Sequence, residues 1–173
     1  MVLSNCSNTY GPYQFPEKLI PAMILNAIEG KLLPVFGEGD NVRDWLYIED
    51  HVTALIAVLT RGRIGQSYNI GGNEEHSNLE VVEQICQMLD ERQPTGRAGN
   101  RRDLITFVTD RPGHDRRYSI NTDKIESELG CTPKESFSSG LAKTIAWYLE
   151  NEWWWGPIRA HKYGGERLGS DRA

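Results

Sequence analysis

The sequence predicts an α/β fold, and three observations predict it. Short segments rich in β-branched and aromatic residues alternate with segments whose apolar residues recur at helical spacing. Glycine, proline or a run of short polar residues marks each change of pattern. The polar residues suited to a ligand fall repeatedly at strand ends and helix starts, where open α/β folds place their ligands.

Val2-Leu3 reads as the end of a strand and runs into the polar stretch Ser4 to Tyr13. A strand there needs a partner strand. The stretch holds short side chains that bond either backbone, as in an Asx turn, or a ligand, and both readings stand. Pro16 opens a helix whose apolar face is Leu19, Ile20, Met23, Ile24, Ala27 and Ile28, with Gly30 as its stop. Glu17 and Lys18 lie at its N-terminal end. Helix N-termini favour anions, so Lys18 is either solvated there or serves a ligand.

Leu33-Pro34-Val35-Phe36 is a strand, followed by Gly37-Glu38-Gly39. Gly-x-Gly after a strand is half of a dinucleotide fingerprint. The third glycine position holds Val42, and Asp44–Ile48 reads as a strand rather than a helix. The spacing therefore predicts a hairpin, with Arg43 at its base as a candidate anion ligand. Glu49 and Asp50 open a helix that carries Val52, Leu55, Ile56 and Leu59 and ends at Gly62. His51 is read as structural, because no nucleophile context accompanies it. Gln66–Ile70 is a strand closed by Gly71-Gly72. Ser77-x-x-Glu80 is a capping box for a helix with Leu79, Val82, Ile85, Cys86 and Leu89 inward. Asn78 at that helix start either reaches a phosphate or supports the cap. His76 and Glu80 make a weak metal signal, and no metal site is predicted.

Gln93–Arg102 reads as a surface loop and Leu104–Thr109 as a strand. Tyr118–Ile120 is extended. Asn121 or Thr122 caps a helix over 123–129, stopped by Gly130, and Ser136–Ser139 opens the last helix, with Leu141, Ile145, Tyr148 and Leu149 on one face. Trp153, Trp154 and Trp155 cannot share one helical face, so they must divide between surfaces. Two domains of unequal kind are expected: residues 1–155 form one binding domain and 156–173 a polar tail that frays.

At 173 residues the chain suffices for one core. A hydrophobic fraction of 39% and a charged fraction of 25% are those of a soluble globular protein, with no membrane-length apolar run. Cys6, Cys86 and Cys131 are few and scattered, which fits a reducing cytoplasm rather than a disulfide framework. A net charge of −5 argues against nucleic-acid binding. Against that balance, Arg97 to Arg117 carries six arginines and three aspartates. Its Asp110-Arg111-Pro112-Gly113-His114-Asp115 loop can present guanidinium forks and backbone N–H groups to an anion such as a phosphate, or it is a solvated turn.

Taken together, several ordered stretches resemble the C-terminal half of dTDP-glucose 4,6-dehydratases, of the extended short-chain dehydrogenase/reductase family. They are Asn5-Cys-Ser-Asn8, Tyr10-Gly-Pro-Tyr13, Phe15-Pro-Glu-Lys-Leu-Ile-Pro21, Arg43-Asp-Trp-Leu-Tyr47, Glu49-Asp-His51, Tyr68-Asn-Ile-Gly-Gly72 and Asp110-Arg-Pro-Gly-His-Asp115. The resemblance runs from about Leu3 to Trp153. It implies the C-terminal part of an extended Rossmann-type fold without the glycine-rich NAD-binding half. It also implies a reaction in which dTDP-glucose becomes a 4-keto-6-deoxy sugar nucleotide through NAD.

The resemblance further implies a pocket lined by Asn8, Glu17, Lys18, Arg43, Asn78 and the loop residues Asp110, Arg111, Pro112, Gly113 and His114. Its wall would be Leu33, Pro34, Val35, Phe36, Gly37 and Gly39. Arg43 and Arg111 suit the pyrophosphate, with Asn8 and Asn78 donating hydrogen bonds. Thr9 stands where the family usually carries an Asn that touches the cofactor. No glycine-rich fingerprint opens the chain, and no tyrosine is followed four places on by lysine. The expectation is a substrate-gripping half that does not hold NAD alone, is completed by a missing N-terminal half and begins at an internal Met1. The family homodimer uses elements this chain lacks. The alternatives are a non-catalytic nucleotide-sugar module, or a relative acting on UDP-glucose.

Overall fold

The computed structural model of the chain describes residues 1–93 and 100–161. In chain order the elements are strands β1 (Leu3–Cys6) and β2 (Asn8–Tyr10), helix α1 (Leu19–Ile28), and strands β3 (Leu33–Phe36) and β4 (Val42–Tyr47). Helix α2 (Ile48–Arg61), strands β5 (Ser67–Ile70) and β6 (Glu75–Ser77), and helix α3 (Asn78–Arg92) follow. Strands β7 (Ile105–Val108) and β8 (Arg117–Tyr118) and helices α4 (Asp123–Leu129), α5 (Phe137–Glu150) and α6 (Glu152–His161) complete it. The class is α/β with parallel pairings, as predicted. No described helix is long and apolar enough to cross a membrane. The chain divides into two compact units.

The first unit holds Met1–Gly11, Asp40–Asn78 and Pro112–Leu141. The partner that a strand at Leu3 requires is β5, in parallel register from Leu3↔Ser67 to Cys6↔Ile70. Strand β4 is the hub of a second sheet. It pairs in parallel with β2 and β8 and antiparallel with β6. Helix α2 carries Glu49 and Asp50 in its first turn and Arg61 in its last, as the macrodipole favours. Thr122 is the N-cap of α4, and Gly130 ends it at φ 63, a left-handed position that glycine adopts without penalty. Leu46, Ala54, Val58, Tyr68, Ile70, Ile125 and Leu129 pack as one core. Each large apolar side chain buried there contributes ~1.5–3 kcal/mol. By contrast, every residue of β1 is exposed, as are Val52, Ile56 and Leu59 on α2.

The second unit holds Pro12–Gly39, Leu79–Arg111 and the chain from Ala142. The expected hairpin is not formed. Strand β3 pairs in parallel with β7, Leu33↔Ile105 to Phe36↔Val108, and β4 pairs elsewhere. Gly37 at φ 59 and Gly39 at φ 75 turn the chain out of the strand, and the Gly39 N–H donates to Phe36 O at 3.1 Å. Periodicity alone could not choose between a local and a distant partner for β3.

Helix α1 begins at Leu19, later than Pro16, with Lys18 as an N-cap whose side chain makes no capping bond. Ile20, Ile24 and Leu25 of α1 and Val81, Val82, Ile85 and Leu89 of α3 are fully or almost fully buried. The expected surface loop Gln93–Arg102 needs correction at its end. Residues 94–99, and with them Arg97, lie outside the described residues, but Arg101 is buried in a 3-10 turn. Helix α6 was not foreseen. It runs from Glu152 and continues through Gly156 and Pro157. What pins it is Arg159, which donates to Asn26 Oδ1 and Glu29 Oε2, each at 2.7 Å. Residues 162–173 lie outside the described residues.

Candidate functional site

In the first unit the expected site residues gather on β4 and its neighbours. Paired residues in a sheet share a face, and alternate residues along a strand return to it. Arg43 is in register with His76 of β6 on one side and Tyr118 of β8 on the other. Asn8 is in register with Trp45, two residues further along β4, and Thr9 with Leu46. Beneath this row lies an aromatic cluster. His76 lies 4.4 Å from Phe137, and Tyr10 lies 5.3 Å from Phe137 and 6.2 Å from Trp45. The Tyr10 hydroxyl donates to Phe137 O at 3.1 Å, and burial, helped by the charge of Glu74, pushes its pKa up. Tyr10 therefore supports the site and does not titrate in it. Burial likewise pushes the His51 pKa down.

Arg43 is 8% exposed. Its guanidinium donates to Val42 O at 2.7 Å and to Asp115 O at 2.8 Å. Asn41, two residues earlier, donates to the same Asp115 carbonyl at 3.3 Å. The Val42 N–H donates to Arg116 O at 2.8 Å, and the Asn78 N–H to Asn41 O at 3.0 Å. Arg43, Asn78 and the end of the Pro112–Asp115 loop are thus tied together around β4. Pro112 and Gly113 are exposed and His114 half-buried. Asn41 was missed by the sequence reading. The signal that could have found it is its two-residue spacing from Arg43 along an extended segment.

The residues between these have structural duties that explain their motifs. Asp44 is completely buried, and its carboxylate accepts from the backbone N–H groups of Gly72 and Glu74, each at 3.1 Å. A Cβ on Gly72 would stand 1.8 Å from Trp45 O, so only glycine fits beside the strand. Arg117 is engaged by a bidentate pair with Glu75, 2.6 Å on both arms, and that pairing together with Ser119 holds the Glu75 carboxyl below its ordinary range.

In the second unit the wall residues split by strand parity. Leu33 and Val35 are buried, whereas Pro34 and Phe36 are half-buried. Only Pro34 and Phe36 can turn side chains outward. Gly37 lies against Asp110, whose side chain would be 3.3 Å from an added Cβ. The Gly37 N–H donates to Val108 O at 2.9 Å. Asp110 and Arg111 are exposed, and the Arg111 N–H donates to Asp110 Oδ1 at 2.8 Å. Lys18 forms a 2.7 Å ion pair with its neighbour Glu17. Two other arginines of the basic segment are committed elsewhere. Arg101 bonds Asp90 Oδ1 at 2.6 Å, and Arg102 pairs with Glu83.

The Gly37-x-Gly39 turn does not fit a dinucleotide phosphate. Its space is filled by protein, since a Cβ on Gly39 would meet Val35 at 2.6 Å and Leu79 at 2.9 Å, and β4 rather than a helix follows.

Residues 1–144 match the family model described as GDP-mannose 4,6 dehydratase. The chain is 57% identical over 169 residues to a probable dTDP-glucose 4,6-dehydratase of Sinorhizobium fredii (strain NBRC 101917 / NGR234), covering 98% of this chain and 48% of the relative. Among solved structures it is similar to the dTDP-glucose 4,6-dehydratase of Bacillus anthracis str. Ames in complex with NAD. There the TM-score is 0.81 at 52% identity, over 91% of this chain and 47% of that one. It is also similar to DesIV, a dTDP-glucose 4,6-dehydratase of Streptomyces venezuelae with NAD and TYD bound. That match has a TM-score of 0.83 at 43% identity, over 91% and 46% of the two chains. The chain thus spans about half the length of the relatives it matches. That bears out the resemblance read from the motifs and its restriction to half of the relatives' length, while the match runs further along this chain than the stretch from about Leu3 to Trp153.

Proposed function

The chain belongs to the GDP-mannose 4,6-dehydratase family, and from that premise we propose that it is the part of a dTDP-glucose 4,6-dehydratase that grips the nucleotide sugar. The observation that carries the reading is Arg43. A buried guanidinium costs several kcal/mol of desolvation unless an anion or good acceptors compensate it. Among the described residues Arg43 donates to carbonyl oxygens, which fix its direction and leave its charge for another group. A diphosphate is that group, matched in charge and in fork geometry. In the first unit Asn8 and Asn78 donate hydrogen bonds to the ligand, with Pro112, Gly113 and His114 as further lining; in the second unit Glu17, Lys18, Asp110 and Arg111, with Pro34 and Phe36, are the residues that the family resemblance assigns to ligand binding. The family reaction, dTDP-glucose to its 4-keto-6-deoxy product, runs through NAD. This chain supplies binding and orientation, and a cofactor half supplies the NAD site. The free thiols of Cys6, Cys86 and Cys131 fit a cytoplasmic setting.

Calorimetric titration with dTDP-glucose tests this. Saturable binding is expected, weakened at least ~10-fold in Arg43→Ala, because a charge-assisted hydrogen bond to phosphate is lost. Arg43→Lys keeps the charge without the fork and is expected in between. A folded chain that binds no dTDP-glucose, or binds it equally in all three forms, sinks the reading.

A further inference from the structure

The segment Tyr13–Lys18 ends in two of the proposed lining residues, and it is gripped from one side by aromatic residues to which no role has yet been given. The Tyr13 ring lies 4.5 Å from Trp147, and 5.5 Å from Trp154 at an interplanar angle of 88°. The two tryptophans lie 5.4 Å from each other. One residue on, Gln14 O accepts the Tyr148 hydroxyl at 2.5 Å. The tryptophan platform is itself tied down. Trp155 Nε1 donates to Tyr148 O at 2.8 Å, and Asn151 Nδ2 donates to Trp147 O at 2.8 Å. Trp153 stays outside at 67% exposure, and its Nε1 donates to Asn151 Oδ1. All these residues belong to the second unit.

Tyr13 also has φ 62, a left-handed conformation that a bulky residue avoids. The ring is 57% exposed, so solvent exclusion does not explain why the strain is accepted. The stack on Trp147 and Trp154 does explain it: the positive φ aims the ring at the pair. Beyond it, the Lys18 N–H closes a turn onto Phe15 O, and helix α1 begins.

We propose that Tyr13, stacked on Trp147 and Trp154, is a positioning residue that sets the Gln14–Lys18 segment and with it the placement of Glu17 and Lys18 within the second unit. The proposal rests on the reading above for what those two residues hold, but not for the clasp itself. Aromatic pairs contribute beyond their buried area, and their geometry is directional, which suits them to fix a loop.

Two measurements on the full chain test it, using Tyr13→Ala, Tyr13→Gly and Tyr13→Phe. The first is amide hydrogen exchange without ligand. Tyr13→Ala should speed exchange across Gln14–Lys18 by ~10-fold or more and leave α3 unchanged, because a local clasp governs local opening. Tyr13→Gly should do the same, since it relieves the backbone strain and removes the ring, whereas Tyr13→Phe should restore protection. The second is dTDP-glucose affinity, which should fall in Ala and Gly and recover in Phe at matched melting temperature. Unchanged exchange in Tyr13→Ala, or rescue by Gly as good as by Phe, overturns the clasp. Faster exchange with unchanged affinity overturns its role in the grip. If the wild-type chain binds no dTDP-glucose, the functional reading fails while exchange still decides the clasp.

Discussion

The two units bury arginines in opposite ways. In the second unit Arg101 is 6% exposed and reaches Asp90 Oδ1 at 2.6 Å, Gln93 O at 2.9 Å and Ala27 O at 3.3 Å. Arg159, also in that unit, closes on Glu29 and Asn26. Their charges are cancelled inside the protein. In the first unit Arg43 is buried to a similar degree, but carbonyl oxygens hold it. A carbonyl satisfies an N–H without neutralising the cation. Burial alone therefore does not separate Arg43 from Arg101 and Arg159. The kind of acceptor beside each one does.

Substitutions can break that contrast. The largest effect is expected from Arg101→Ala, which strands Asp90 and should destabilise the chain by ~3–5 kcal/mol in urea unfolding. An Arg101→Ala chain as stable as wild type would remove the distinction. Arg43→Ala should cost only ~1–2 kcal/mol of stability, the worth of its carbonyl bonds, while the larger loss appears in ligand affinity. Equal stability losses at Arg43 and Arg101 would mean that Arg43 is a second structural pin.

The Glu29–Arg159 latch sharpens the contrast through pH. Burial works against the Glu29 carboxylate, but hydrogen bonds and charge from Arg159 and Lys31 outweigh it and hold the carboxyl below its ordinary 4.5. A depressed folded value stabilises the fold above about pH 4.5 and loses that stabilisation as pH falls through the folded value. The melting-temperature gap between wild type and Glu29→Gln should therefore narrow on acidification below that point. A gap constant from neutral to acidic pH would show that the latch is not ionic. The smallest stability change is expected at the exposed apolar face of the first unit. Leu59, 78% exposed, can become Lys within ~0.5 kcal/mol, and the variant should remain monodisperse at higher concentration in light scattering. Unchanged aggregation would show that the face is not what associates.

Much of the fold was legible because local chemistry dictates it. Thr122 and Gly130 bound α4, Glu49 and Asp50 open α2, and α3 starts at Asn78, one residue past the Ser77 of the capping box. Arg43, Asn8 and Asn78 were expected in a site through motif resemblance, and the structure brings Arg43 and Asn78 together through Asn41. The partner of β3 was misread because Gly37 and Gly39 look the same in a hairpin turn and in a turn that leaves the strand. Helix α6 was missed because the chain from Gly156 reads as a polar tail that frays, whereas Arg159 holds the helix by contacts far away in sequence.

Residue order alone establishes most of the element types, the likeness to half of a nucleotide-sugar dehydratase and the residue types available for an anion. Propensity, capping and motif spacing act over a few residues and are written there. Tertiary structure decided which acceptors hold each buried arginine, which strand pairs with which, and where the three tryptophans go. Those outcomes depend on acceptors and surfaces supplied across long sequence separations. Arg43 and Asp115 are 72 positions apart, and Arg159 and Asn26 are 133 apart. No local pattern encodes an encounter between groups so distant along the chain.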